Sequence, residues 1–139
     1  MIIRISSGVF QSLLREAQAA FPNECCGLVT GKPGHAEAVV PAKNIHPHPA
    51  TGFEIDPGTL MATHRNVRAV NRHVIGHYHS HPNGSAQPSQ RDAARATHNG
   101  QVWFIIANGG VTGWQAVALD ETDESLVHGR FAPLRLLAA

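Results

Sequence analysis

The stretch from Val74 to Asp92 constrains this fold more than any other. It is an extended run that closes on His79-Ser80-His81, breaks at Pro82, crosses a Pro- and Gly-rich interval and restarts at Ser89-Gln90-Arg91-Asp92. Residues two apart in a strand project to one side, so His79 and His81 aim two imidazoles at one point. The helix start that follows can return a carboxylate, Asp92, to that point. Two nitrogens and one oxygen, with a fourth tetrahedral position left for water, are the donor set of a catalytic zinc rather than a structural one. The chain therefore reads first as a metal hydrolase whose site joins a strand end to a helix start.

Blander readings compete at each position. Histidine accounts for 10 of 139 residues, so the spacing has to carry the argument. His46-Pro47-His48 has the same spacing but sits among prolines with no suitable carboxylate downstream, and reads as loop. His77 shares a strand face with His79. Three imidazoles at alternate positions would spread over roughly 13 Å, which bonds of about 2 Å to one ion do not span. His77 is therefore expected to pack beside the ligands. Ser89-Gln90-Arg91-Asp92 also fits the serine-x-x-acid box that caps ordinary helices. Capping and ligation can coexist, because a helix start is a rigid place from which to aim a side chain. Spacing alone does not separate Glu24 from Glu16, Glu37 or Glu54.

Length and 42% apolar content suit one domain over residues 1–139. The formal net charge is +1 and the eleven basic residues are scattered, which argues against nucleic acid as a partner. Nowhere do eighteen apolar residues run together, and Met1 to Ile5 turns polar at Ser6-Ser7 too soon for a signal-peptide core. No membrane association and a cytoplasmic location are expected. Cys25 and Cys26 are adjacent, which disfavours a bridge between them, and belong to no Cys-x-x-Cys pair; they read as buried small hydrophobes.

Periodicity predicts a strand at Ile2–Ile5 and a helix at 8–20, capped by Ser7, with Val9, Leu13, Ala17 and Ala20 inward. A buried strand at 25–30 pairs with one at 37–40. Asn44 to Gly52 is loop, then Phe53-Glu54-Ile55 is extended. Asp56-Pro57 opens a helix ending near Asn71. A strand at 74–79 leads to a surface loop, Pro82 to Pro88, running over the metal site. A helix at 89–98 and a hairpin of 102–107 with 111–119 around Asn108-Gly109-Gly110 follow, then one further strand near 126–131. Interleaved strands and helices, too few for an eight-fold barrel, make an α/β fold with a mixed sheet flanked by helices.

The glutamate before Cys25-Cys26-Gly27, then Gly76-His77-Tyr78-His79-Ser80-His81-Pro82, then Pro88-Ser89 and Asp92, together resemble the JAMM (MPN-plus, Mov34/PAD-1) zinc metallopeptidases. That family's pattern is a distant glutamate, then His-x-His, seven residues, serine, two residues and aspartate, and this chain matches every position. Phe53-Glu54-Ile55-Asp56-Pro57 also looks like the stretch before the second helix of small prokaryotic members. The resemblance implies a cytidine-deaminase-like α/β fold, zinc held by His79, His81 and Asp92, water held by Glu24, and Ser89 stabilising an oxyanion. It further implies a peptidase or isopeptidase acting after the Gly-Gly tail of a ubiquitin-like or sulfur-carrier protein. Such a tail could add to a sheet edge and reach a narrow cleft.

Two departures stand out: family members commonly have Trp where this chain has His77, and this chain lacks room for the insertions that grip polyubiquitin. A metallo-β-lactamase would want aspartate and histidine where Asn83-Gly84 stand, and a deaminase would need a Pro-Cys-x-x-Cys ligand pair. The rival outside enzymes is a catalytically silent MPN-type binding module or scaffold; silent relatives typically lack ligands, and this chain keeps all of them.

Overall fold

The computed structural model describes residues 1–139. Ten elements follow one another: β1 (Ile2–Ile5), α1 (Ser7–Ala20), β2 (Cys26–Lys32), β3 (His35–Ala42), α2 (Pro57–Ala69), β4 (His73–Ser80), α3 (Gln90–Arg95), β5 (Val102–Ala107), β6 (Gly110–Ala116) and β7 (Phe131–Ala138). The strands form a mixed sheet in the order β1-β3-β2-β4-β5-β6-β7, which closes because β1 also pairs with β7. The mixed sheet with helices is the expected architecture. Its closure was not read from the sequence, and the seam is short on one side: β1 meets β3 only at His35 and Ala36, so β3 from Glu37 to Ala42 keeps an unpaired edge.

The sheet curls around α1. Val9 and Leu13 of that helix pack with Ile3, Ile5, Val29, Tyr78, Phe104 and Ile106 in one core cluster. A second cluster lies across the sheet and joins Cys26, Phe53, Trp103, Ile105, Trp114 and Phe131. Adjacent strand residues face opposite ways, so Cys25 enters the first cluster and Cys26 the second, both as buried free thiols. Gly27 lets strands approach: a Cβ there would stand 2.4 Å from the Val40 carbonyl and 2.5 Å from the Tyr78 hydroxyl.

Several boundaries move by a residue or two. Ser6, not Ser7, caps α1, its hydroxyl accepting the Val9 N–H. Asp56 caps α2 with Pro57 in the first turn, as expected, and Asn71 at φ 55 lies just past its end. The hairpin turns at Asn108 and Gly109, both at positive φ, the geometry a two-residue hairpin requires. α3 stops at Arg95 instead of reaching His98, because Ala96 turns extended (ψ 140) and drops into the second cluster.

The last strand is the real correction. Where a strand near 126–131 is expected, His128 (φ 53) and Gly129 (φ 63) make a reversal, and β7 begins only at Phe131. Pro133 disguises it. β7 pairs with β6 through residues 131–134 and with β1 through 135–138, so at Pro133 the ladder runs on one side only, where a missing N–H is tolerated.

Candidate metal centre

β4 ends in the middle of the sheet, between β2 and β5, with His79 opposite Cys26 on one side and Ile105 on the other. His79 has no exposure, and His81, just past the strand, has 7%. Asp92 stands in the first turn of α3, 6% exposed. Their donor atoms form a small triangle: His79 Nε2 to His81 Nε2 is 3.0 Å, and Asp92 Oδ2 lies 3.2 Å from the first and 3.1 Å from the second.

That triangle fits a metal. Bonds of 2.0–2.1 Å in tetrahedral geometry put donors about 3.3 Å apart, close to the separations observed. The tautomer agrees as well: His81 Nδ1 is 2.9 Å from the Ser85 carbonyl, which can only accept. Its N–H therefore lies on Nδ1, and in the neutral ring Nε2 offers a lone pair to the triangle. Asp92 Oδ2 spends one lone pair on the Ser89 N–H at 2.8 Å and turns the rest toward the imidazoles. The Ser89 hydroxyl accepts the Asp92 N–H at 3.0 Å, so the capping box is complete. Capping and convergence on the histidines coexist in the same residues.

Charge follows from this packing. Burial is the largest influence on all three groups. It holds His79 below the usual histidine range. At His81 burial is outweighed by Asp92 and Ser85, and the ring is raised; at Asp92 it is outweighed by the two imidazoles, and the carboxyl falls well below its usual range.

Glu24 immediately precedes Cys25-Cys26 and faces the same cleft. It lines one hollow with Ser89 and Asp92, and an adjoining one with His81 and Ser89. Neighbouring backbone bonds pin it there. Its N–H donates to Pro49 (2.7 Å), and its carbonyl accepts from the Asn44 amide (3.0 Å). The hydroxyl of Ser80, the residue between the two histidines, accepts the Cys25 N–H at 2.8 Å. Burial pushes the Glu24 carboxyl up from 4.5 to about 7, with His81 opposing and Asp92 adding to the shift.

His77 lies outside the triangle. It meets Trp103 edge-on with centroids 4.4 Å apart, and burial pushes it down to about 3. The second histidine pair serves the loop: His46 Nδ1 accepts the His48 N–H at 2.9 Å. Tyr78 points the other way into the first cluster.

The loop from Pro82 to Pro88 forms a wall of the cleft. Four of its carbonyls accept side-chain donors: Gly84 from Asn108, Ser85 from His81, Ala86 from Thr112 and Pro88 from His128. The facing wall, Thr51 to Phe53, is tied to α3 by Arg91, which donates to the Thr51 carbonyl at 2.9 Å, and by Arg95, which donates to the Phe53 carbonyl. Sequence reasoning did not single out Ser80, Asn44, Arg91 or Arg95. Their bonds span distances that no local pattern records, though Arg91 and Arg95 one helical turn apart were a signal of a shared face.

The architecture is that of the JAB1/MPN fold: the crystal structure of a JAB1/MPN domain protein from Archaeoglobus fulgidus superposes with a TM-score of 0.61 over 99% of this chain and 96% of that one, at 18% identity. The chain belongs to the family described as prokaryotic homologs of the JAB domain, whose model matches residues 6–120. It is 37% identical over 112 residues to a protein of Thermus thermophilus named a probable TtuB-protein conjugate cleaving protease, covering 81% of this chain and 70% of that one. A desampylase of Haloferax volcanii is 30% identical over 91 residues, 64% of this chain and 66% of the relative.

Proposed function

We propose that residues 1–139 form one zinc metallopeptidase domain that hydrolyses an amide bond after the C-terminal Gly-Gly tail of a ubiquitin-like or sulfur-carrier protein. The observation that carries this reading is the donor triangle of His79, His81 and Asp92 with the buried Glu24 carboxyl in the same cleft. The names of the Thermus and Haloferax relatives support the substrate class. His79, His81 and Asp92 would hold the zinc, which when bound supplies Lewis acidity that activates water and polarises the scissile carbonyl.

The remaining work falls to the chain's own groups. In the metal-free chain burial raises the Glu24 carboxyl to about 7, and a divalent cation beside it would favour the ionised form that accepts a proton. Glu24 can take a proton from the attacking water and deliver it to the leaving nitrogen. The Ser89 oxygen already accepts the Asp92 N–H, so its hydroxyl hydrogen is free to donate to the carbonyl oxygen as negative charge develops there. The stretches Thr51–Phe53 and Pro82–Pro88 flank the cleft on its two sides. An extended tail can enter the cleft between these walls. Glycine, having no side chain, suits such a passage.

No helix is long and apolar enough to cross a membrane, and two buried free thiols support the cytoplasmic location included in this proposal.

The test is turnover by the zinc-loaded protein of Gly-Gly-tailed carriers bearing C-terminal extensions, read by intact mass. Release of the extension at the second glycine is expected. A zinc-loaded protein that trims none of them would favour the silent binding module.

A further inference from the structure

The two histidines of the triangle are held by different means. His81 is locked by its Nδ1–H bond to the Ser85 carbonyl. His79 Nδ1 is buried and has no hydrogen-bond partner. A metal-ligating imidazole ordinarily donates its second N–H to an acceptor, and that bond fixes the ring's orientation. His79 has instead an aromatic face. Its ring lies against Phe53 with centroids 4.2 Å apart and planes 17° from parallel, and Trp103 meets it edge-on at 5.9 Å. Phe53 is itself fixed: it is 6% exposed, its carbonyl accepts from Arg95, and the Arg95 guanidinium carbon lies 5.1 Å from its ring centroid.

We infer that Phe53 is a positioning residue for the metal centre: its ring fixes the plane of the His79 imidazole so that Nε2 stays directed at His81 Nε2 and Asp92 Oδ2, and Arg95 holds Phe53 in place. The inference rests on the zinc reading above. The torsion that turns an imidazole plane is broad and soft when nothing bonds the ring. A flat neighbour at van der Waals distance narrows it, because rotation out of the shared plane drives a ring edge into the π-face. An aliphatic side chain of similar bulk fills the space without defining a plane. Thus Phe53 replaces by shape the restraint that Ser85 gives His81 by hydrogen bonding.

Zinc affinity of the full chain, measured by competition with a chromophoric chelator beside thermal unfolding of each metal-free protein, tests this. Phe53→Leu should bind zinc about 10- to 100-fold more weakly, whereas Phe53→Tyr, which keeps the flat face, should stay within about 3-fold of the wild type. Arg95→Met, at an exposed side chain, should weaken binding in the same direction by less, and it carries the test if Phe53→Leu does not fold. A purely structural role would lower the unfolding temperature of Phe53→Leu and leave its affinity intact. That result, or equal losses in Phe53→Leu and Phe53→Tyr, overturns the inference while leaving the zinc reading standing. A wild type that binds no zinc removes both.

Discussion

Two helices of this protein begin with the same pair of residue types in opposite order, and only one of them opens onto the site. At α2 the acid comes first: Asp56 Oδ2 accepts both the N–H and the hydroxyl of Thr59, at 3.1 and 3.0 Å. At α3 the hydroxyl comes first, and Asp92 sits three residues in. Asp56 is half-buried and spends itself within its own turn. Asp92 is buried opposite the end of β4, and the oxygen that completes its cap also meets two imidazoles. Each start is capped locally by an acid and a hydroxyl residue, with the reciprocal box completed only at α3. The strand end facing them differs too, and that makes one cap structural and the other a candidate ligand.

Substitutions at the two starts should diverge accordingly. Asp92→Asn is expected to have the largest effect, weakening zinc binding beyond the roughly 10- to 100-fold lost with an outer partner and abolishing turnover; Asp56→Asn should leave both unchanged. Chelator competition and peptidase assays on the pair decide it, and similar losses would erase the distinction drawn here. Glu24→Gln comes next. It should keep zinc and lose about 10²- to 10⁴-fold in rate, and undiminished turnover would remove Glu24 from the chemistry. Ser89→Ala should cost about 1 kcal/mol of stability as a lost cap and roughly 10²-fold in rate as a lost donor. Asp56→Ala should show a similar stability loss in denaturant melts at full activity.

The last effect concerns pH and is seen only in the metal-free protein. The folded-state carboxyl of Glu24 lies at about 7, above its usual 4.5, so the native metal-free protein binds more protons than the unfolded chain between those values. Stability contributed by this group is present below 4.5 and is lost as pH rises through 7. Metal-free Glu24→Gln should therefore match the wild type near pH 4 and exceed it by roughly 1–3 kcal/mol at pH 8. A constant difference across that range would contradict the burial of this carboxyl.

Some of this was legible from local rules. Strand alternation placed His79 and His81 together, and the serine-x-x-acid spacing placed Asp92 and Ser89 at a helix start, because both patterns repeat within a few residues. Glu24 became distinguishable from the other glutamates only through resemblance, since its position depends on β2 pairing with β4, far along the chain. Phe53 was visible in a motif, but its stacking on His79 belongs to tertiary packing. β7 escaped because Pro133 and the His128-Gly129 turn mask its pattern, and ring closure escaped with it, being a property of strands at opposite ends of the sequence.

That closure has a practical consequence. The family match spans 6–120, while the seam of the ring is made by β1 and β7, residues 2–5 and 131–138, which lie outside it. A fragment trimmed to the matched limits would lose both seam strands, stripping β6 of its β7 ladder and β3 of its contact at His35 and Ala36. Unsatisfied N–H and C=O rows recruit other chains, so such a fragment should clump with its own copies even though all five candidate site residues remain in it.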